Sequence, residues 1–144
     1  PNLDGSGIVA CTAGYYALPS STSCTACAVG YYCPSTTAAT QIACSPGTYT
    51  NSPSDVCTAC DAGFACPSTD SDVKVACVSG TYSVGSQHTC SDCPAGYSCA
   101  ATNNFDTTQC SPGYISPSGS AVCTICDRGF HCPNPAESPL ACLS

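Results

Sequence analysis

The sequence predicts a small disulfide-rich fold: an elongated tandem-repeat rod of short β-ribbons and loops with little helix. Three observations lead to this prediction: seventeen cysteines in 144 residues, a cysteine pattern that recurs at a fixed interval, and a shortage of large aliphatic side chains. A cysteine content this high is typical of chains held together by disulfides in an oxidising compartment. We therefore expect a secreted or extracellular protein.

The shortage of aliphatic side chains excludes a conventional core. Leu, Ile, Val and Phe together make up roughly one residue in eight, too few to offset the entropy of ordering the chain. No window places apolar residues at helical spacing, whereas stretches such as GTYTNSPSDVC combine β-prone residues with turn formers. The formal net charge is -7, so no basic surface is available for nucleic acid. No apolar stretch approaches the roughly 18 residues of a membrane span.

The cysteine spacing defines four tandem copies of the pattern C-x12-C-x2-C-x5-C. The pattern recurs every 33 residues from Cys11 to Cys110. Repetition at a period of this length is typical of arrays in which each unit contacts mainly its neighbours, which predicts the rod. No signal-peptide pattern opens the chain, so we expect either that a leader has been removed or that the sequence is a fragment of a longer protein. The array stops in mid-repeat, which favours the fragment. The boundaries are 1–10 for a linker or the end of a preceding domain, 11–43 for repeat 1, 44–76 for repeat 2, 77–109 for repeat 3, 110–141 for repeat 4 and 142–144 for the start of a truncated repeat 5.

The cysteines are predicted to form structural disulfides, but spacing alone does not fix their pairing. In one register Cys11 pairs with Cys24 and Cys27 with Cys33, and so on along the array. In the other, bridges interlock across the connector and join Cys24 to Cys33 and Cys27 to Cys44. We favour the first, because each loop then carries its own glycine turn. The predicted disulfide residues are Cys11, Cys24, Cys27, Cys33, Cys44, Cys57, Cys60, Cys66, Cys77, Cys90, Cys93, Cys99, Cys110, Cys123, Cys126, Cys132 and Cys142.

The CxxC of each repeat has three interpretations. A zinc site needs two such pairs, which the four copies could supply, or one pair with two His. However, His88 and His131 do not recur in phase, and the two other cysteines of every repeat would stay unexplained. A redox centre needs a helix N-terminus to lower the thiol pKa, and nothing in the sequence is helical. We therefore interpret the motif as a junction between two disulfide loops, which leaves Cys142 to pair with an absent next repeat. Such loops contribute roughly 5 kcal/mol per repeat in the chain-entropy model.

Both halves of each repeat begin with C-x2-G followed by an aromatic residue. Glycine at this place indicates a turn with positive φ or a backbone that passes close to a disulfide. The aromatic ring supplies apolar area that the aliphatics lack. In the fourth copy Ile115 occupies the usual ring position and Tyr114 is shifted by one place. The predicted repeat core is Gly14, Tyr16, Gly30, Tyr31, Gly47, Tyr49, Gly63, Phe64, Gly80, Tyr82, Gly96, Tyr97, Gly113, Tyr114, Gly129 and Phe130.

The runs CSPGTYTNSPSDVCTAC, CVSGTYSVGSQHTCSDCPAGYSC and CAVGYYCP resemble the ephrin-receptor-like cysteine-rich repeat, whose hallmark is C-x2-G-[TS]-[YF] followed by C-x2-C. They are more distantly similar to tumour-necrosis-factor-receptor and EGF-like modules. The resemblance covers residues 11–142. Such arrays occur in large surface proteins of protists and algae, including flagellar-hair (mastigoneme) proteins, so the resemblance implies a cell or flagellar surface. The short C-x5-C loop and the strict period depart from the ephrin-receptor form and favour a long array.

Candidate catalytic and metal-binding groups are sparse, and we expect no enzyme activity, cofactor or metal. Asp70 and Asp72 form a carboxylate pair in one copy only, which we interpret as a solvated loop. The run NLDGSG from Asn2 to Gly7 matches only the middle of an EF-hand calcium loop and is interpreted as a linker. Three acidic residues beside the CxxC are interpreted as solubilising charge rather than a weak calcium site: Asp61, Asp92 and Asp127.

The composition also bears on modification and function. Ser and Thr make up about a quarter of the chain and cluster beside prolines, a composition open to O-linked glycans. We predict a filament-forming, mastigoneme-like structural segment of an extracellular fibre or cell-surface coat, whose partners are copies of itself or other fibre proteins. The alternative is a ligand-binding or spacer stalk of a receptor or adhesin. Regularity favours the fibre, because a recognition surface usually breaks the symmetry at one repeat.

Overall fold

The computed structural model describes residues 10–34, 40–51, 53–101 and 105–142. All regular secondary structure in these residues is β, which confirms the predicted class of disulfide-rich tandem β-ribbons. The elongated shape stays a prediction. The strands are β1 (Tyr15–Tyr16), β2 (Thr25–Ala26), β3 (Tyr31–Tyr32), β4 (Ile42–Ala43), β5 (Thr48–Tyr49), β6 (Thr58–Ala59), β7 (Phe64–Ala65), β8 (Val75–Ala76), β9 (Thr81–Tyr82), β10 (Ser91–Asp92), β11 (Tyr97–Ser98), β12 (Thr108–Gln109), β13 (Tyr114–Ile115), β14 (Thr124–Ile125), β15 (Phe130–His131) and β16 (Leu140–Ala141).

Consecutive strands pair as antiparallel hairpins, so the described chain holds eight separate two-stranded ribbons. Tyr16 lies opposite Thr25 in the first ribbon, and Tyr49 lies opposite Thr58 in the third. A two-stranded ribbon with strands this short is not stable by itself in water. Each ribbon therefore depends on its disulfide and on contacts with neighbouring ribbons.

The same β-turn leads into every hairpin. In the first, the Tyr15 amide donates to the Thr12 carbonyl at 3.0 Å, and Gly14 occupies the third turn position with φ +82°. A type II turn requires positive φ at that position, which explains the glycine, and it favours proline just before, where Pro46 stands in the third hairpin. The eight turn glycines have φ between 80° and 89°, as predicted: Gly14, Gly30, Gly47, Gly63, Gly80, Gly96, Gly113 and Gly129.

Each hairpin closes with a second backbone bond, in which the amide of the following cysteine donates to the glycine carbonyl. Cys27 donates to Gly14 at 3.0 Å, and Cys44 donates to Gly30 at 2.8 Å. We call the segment from one such cysteine to the next a hairpin unit. Each repeat contains two units with the same backbone design, although their disulfides close loops of different size. The units are numbered 1 (11–26), 2 (27–43), 3 (44–59), 4 (60–76), 5 (77–92), 6 (93–109), 7 (110–125) and 8 (126–141).

The chain forms two compact bodies. The first runs to Cys60 and includes Cys66–Lys74, and the second contains Asp61–Ala65 and the chain from Val75 onward. The core of each is built mainly from cystine. Apart from cysteines, the buried apolar residues of the described chain are Ala17, Tyr49 and Ala65. Disulfides thus take the place of aliphatic side chains, as the composition predicted.

The aromatic part of the predicted core needs correction. Of the predicted rings, Tyr49 is buried with 8 % of its surface exposed, whereas Tyr31, Tyr114 and Phe130 are exposed by 42 %, 39 % and 46 %. Successive residues of a strand point to opposite faces, and here the second residue of the first strand generally faces inward. In more than half of the units, the ring predicted to lie in the core is the first residue of that strand and not the second. The remaining predicted rings are half-buried: Tyr16, Phe64, Tyr82 and Tyr97.

Candidate functional site

The disulfides follow the register in which each loop carries its own glycine turn. Cys11 pairs with Cys24 and Cys27 with Cys33, at sequence separations of 13 and 6. The two cysteines of a CxxC therefore belong to different disulfides, and the motif is the junction of two loops. The other repeats have the same pairing: Cys44 with Cys57, Cys60 with Cys66, Cys77 with Cys90, Cys93 with Cys99, Cys110 with Cys123 and Cys126 with Cys132.

Cys142 is the exception among the predicted disulfide residues. It is exposed and has a free thiol, while its backbone amide donates to the Gly129 carbonyl at 2.9 Å. The same amide-to-glycine bond is made by the cysteines that begin units 2 to 8. Cys142 therefore has the backbone position of a unit-starting cysteine without the bridge.

The turn glycines connect neighbouring hairpin units. The Gly63 amide donates to the Ser83 carbonyl at 2.7 Å, and the Gly96 amide donates to the Ser116 carbonyl at 2.9 Å. In the first compact body, the Gly30 amide makes the equivalent bond to the Thr50 carbonyl at 3.1 Å. The turns that open units 2, 4 and 6 are therefore tied to units 3, 5 and 7. These bonds recur with the period of the sequence.

The acceptors of these bonds form a set that we call the clamp residues: Thr50, Ser83 and Ser116. Their side chains are buried, with 3 %, 0 % and 2 % of the surface exposed. The Ser116 hydroxyl donates to the Tyr97 carbonyl at 2.6 Å, and the Thr50 hydroxyl donates to the Tyr31 carbonyl at 3.2 Å. Buried hydroxyls need such partners. Each clamp therefore holds the preceding unit through both its backbone and its side chain, except Ser83, whose hydroxyl accepts from the Gly85 amide.

Clamp residues also reach forward along the chain. The Thr50 amide donates to the Thr69 carbonyl at 3.0 Å, and the Ser116 amide donates to the Pro135 carbonyl at 3.1 Å. This position is absent from the residues predicted by sequence. The available signal was the small residue six places after the first cysteine of every repeat, which is Ala17 in the first copy and a hydroxyl residue in the others.

A second kind of contact explains why some turn glycines tolerate no side chain. A Cβ on Gly14 would lie 2.8 Å from the backbone of Pro53 and Ser54, and a Cβ on Gly80 would overlap the Gly119 carbonyl oxygen. By contrast, a Cβ on Gly113 would meet nothing within 4 Å. Every unit therefore needs glycine for its turn. Some units also need it because the backbone of another segment packs closely against that position.

The acidic residues form no metal site in the part of the chain that the structure describes. No group of three or more His, Cys, Asp or Glu side chains there could hold an ion. Asp70 accepts a hydrogen bond from the Ser68 hydroxyl, and Asp70 is exposed while Asp72 lies in the same surface loop. Three acidic residues next to or within the CxxC junctions are also exposed: Asp61, Asp92 and Asp127. The run from Asn2 to Gly7 lies outside the described residues.

Within the described ranges, no helix is long and apolar enough to cross a membrane. A scan against protein-family models finds no matching family, and a search of curated proteins finds no relative. The many disulfides are consistent with a secreted or extracellular protein. The bonds between turn glycines and clamp residues hold neighbouring hairpin units together.

Proposed function

We propose that the chain is a non-catalytic structural segment of a long extracellular fibre or cell-surface coat. The observation that carries the proposal is the recurrence of one inter-unit bond, from a turn glycine amide to a clamp carbonyl. It joins Gly30 to Thr50 in one compact body and Gly96 to Ser116 in the other. A contact that repeats with the sequence can be extended by adding repeats.

Two further features support a mechanical role. Each hairpin unit from Cys11 to residue 141 contains its own disulfide, so no unit depends on a distant segment for its covalent closure. The core is cystine rather than aliphatic, so stability does not require the volume of a globular domain. A fibre built from such units retains its covalent cross-links when non-covalent contacts are stretched.

The resemblance to ephrin-receptor-like repeats leads to a finer proposal. We place the chain among the repeat arrays of large surface or flagellar-hair proteins, and we propose other copies or other fibre proteins as its partners. O-linked glycans on the Ser- and Thr-rich loops would surround such a fibre. Exposed hydroxyl residues beside proline, such as Ser20 and Ser138, are available for them.

Negative-stain electron microscopy of the native material, with and without reductant, tests the proposal. We expect regular filaments that are lost on reduction, because the disulfides replace the core. A sample treated with alkylating agent but no reductant is the matched control and should keep its filaments. Dispersed single particles in the untreated sample would contradict the fibre and favour the receptor or adhesin stalk.

A further inference from the structure

A groove of about 310 Å³ lies beside the hairpin of unit 6, where that unit meets unit 7. One wall is the end of the ribbon formed by β11 and β12, and another is the disulfide between Cys110 and Cys123. The volume is at the low end of the range of about 300–1,000 Å³ for small-molecule sites. Five further residues line it: Ser98, Thr108, Gln109, Ser111 and Tyr114.

Of these five positions, Thr108 and Gln109 depart from every other copy, which has Ile42, Val75 or Leu140 at the first place and Ala43, Ala76 or Ala141 at the second. One repeat earlier, the corresponding places are mostly apolar and contain no amide or aromatic side chain. Polar side chains replace alanine and valine, and a ring replaces the Thr81 side chain. The equivalent residues of the preceding repeat, in the same order, are Ala65, Val75, Ala76, Val78 and Thr81. Ser111 and Tyr114 have counterparts in earlier copies, Ser45 and Tyr15, so the change that is particular to this junction is the polar pair Thr108 and Gln109.

A second irregularity is the place of the ring in unit 7. In the other three copies, an aromatic ring stands two places after the turn glycine, and here Ile115 fills that place. The shifted Tyr114 belongs to β13 and keeps 39 % of its surface exposed at the groove. The ring is thus removed from the interior and made available to a ligand.

The chemistry of the groove indicates the class of ligand. None of the lining side chains carries a charge, so an ionic ligand would find no counter-charge there. Hydroxyl and amide groups can donate and accept hydrogen bonds, and a tyrosine offers an apolar ring face with a polar tip. The Ser98 hydroxyl donates to the Thr108 carbonyl at 3.4 Å, which leaves its oxygen free to accept. Sugars combine many hydroxyls with apolar C–H faces, and they match this set.

We infer that the groove between hairpin units 6 and 7 is a binding subsite for a neutral saccharide of one or two rings. Tyr114 packs against the sugar face, and the Gln109 side chain binds its hydroxyls. The inference is independent of the proposed fibre, since a stalk or a fibre can carry such a site. A recognition surface at one repeat is the break in symmetry expected of a ligand-binding stalk, so confirmed binding would also favour that alternative over the fibre.

Chemical-shift titration of the ¹⁵N-labelled, oxidised chain with methyl glycosides of glucose, galactose, mannose, arabinose and N-acetylglucosamine tests the inference. We expect one of them to shift the Gln109 side-chain amide and the Tyr114 backbone amide saturably. The dissociation constant should be on the order of a few mM, since the ligand is small and the groove is open.

The variant Gln109→Ala with Tyr114→Thr should weaken this binding by about tenfold or more, because it removes the ring and the amide. Both new residues occur at the equivalent places one repeat earlier, so the hairpins should still form. Thr58→Val, an exposed hairpin change outside the groove, should leave the constant unchanged and is the matched control.

Two outcomes would overturn the inference. One is the absence of a saturable shift with any of the sugars at about 100 mM, far above the constants expected. The other is binding that persists unchanged in the double variant, which would place the sugar elsewhere. If the double variant loses its dispersed spectrum, Tyr114→Thr alone is measured, and the same two outcomes decide.

Discussion

Replacing Gly80 by alanine tests whether close packing between hairpin units stabilises this protein. Gly80 has φ +89°, and an added Cβ would overlap the Gly119 carbonyl oxygen and lie 3.3 Å from its carbon. Gly113 has nearly the same φ, +84°, but an added Cβ there would meet nothing within 4 Å. The pair of variants therefore separates the conformational cost from the packing cost.

The magnitudes follow from the two costs. An alanine held at positive φ loses about 1–2 kcal/mol, and this applies equally to Gly80→Ala and Gly113→Ala. The overlap in Gly80→Ala adds about 1–3 kcal/mol, typical of overpacking. Gly119 cannot simply move away, because its amide donates to the Cys93 carbonyl at 2.7 Å. The free energy of unfolding should therefore fall by about 2–5 kcal/mol in Gly80→Ala, the sum of both costs. In Gly113→Ala it should fall by about 1–2 kcal/mol, the conformational cost alone.

Amide hydrogen exchange of the oxidised variants, together with guanidinium unfolding, measures the difference. The Cys93 amide, which donates to the Gly80 carbonyl at 2.9 Å, reports on the hairpin that contains the substitution. Relative to the unsubstituted protein, its exchange should be about 30- to 5,000-fold faster in Gly80→Ala. Exchange of the Cys126 amide, which donates to the Gly113 carbonyl at 2.8 Å, should be about 5- to 30-fold faster in Gly113→Ala. Equal losses of unfolding free energy in the two variants would refute the reasoning, because only Gly80 of the two has a close neighbour.

Three further predictions concern the clamp, the disulfides and modification. Ser116→Ala should lower the free energy of unfolding by about 1 kcal/mol through loss of its buried hydrogen bond, whereas no change in guanidinium unfolding would count against the clamp. Limited reduction followed by alkylation and mass mapping should open the disulfide between Cys77 and the half-buried Cys90 before that between Cys93 and Cys99, which are 0 % and 1 % exposed, because thiolate attack needs access. The reverse order would show that burial does not control reduction. The intact mass of native material should exceed that of the bare polypeptide if O-glycans are attached, and a matching mass would remove that proposal.

Much of the fold could be predicted because its determinants are local. A disulfide can join two cysteines that are 13 residues apart, and a tight turn requires glycine at its third position. Both constraints act within one short segment. The choice between the two disulfide registers also depended on a local argument, that each loop contains its own turn. The structure shows that pairing in Cys11 with Cys24 and Cys27 with Cys33.

The failures concern contacts that join separate hairpin units and the direction in which side chains point. Tyr31 and Phe130 were expected in the core because they follow a turn glycine, but the alternation of a strand turns them outward. Thr50 and Ser116 were not singled out. The small residue six places after the first cysteine recurs visibly in the sequence, but the recurrence does not show that it is buried against the preceding unit.

The same distinction applies to the candidate binding groove. The shifted Tyr114 was visible in the sequence as an irregularity of the fourth copy. Its association with Ser98 and Gln109 was not visible, since these residues belong to a different hairpin unit and meet it only when the units pack.

The sequence by itself determined the cysteine repeat, the glycine turn in each half of it and the dependence on cystine, because each is a property of one short segment. Only the tertiary structure decided how successive units are held together. The units are joined by hydrogen bonds between backbone amides and carbonyls, which nearly every residue carries. Side-chain identity alone therefore does not show which amide will bond to which carbonyl.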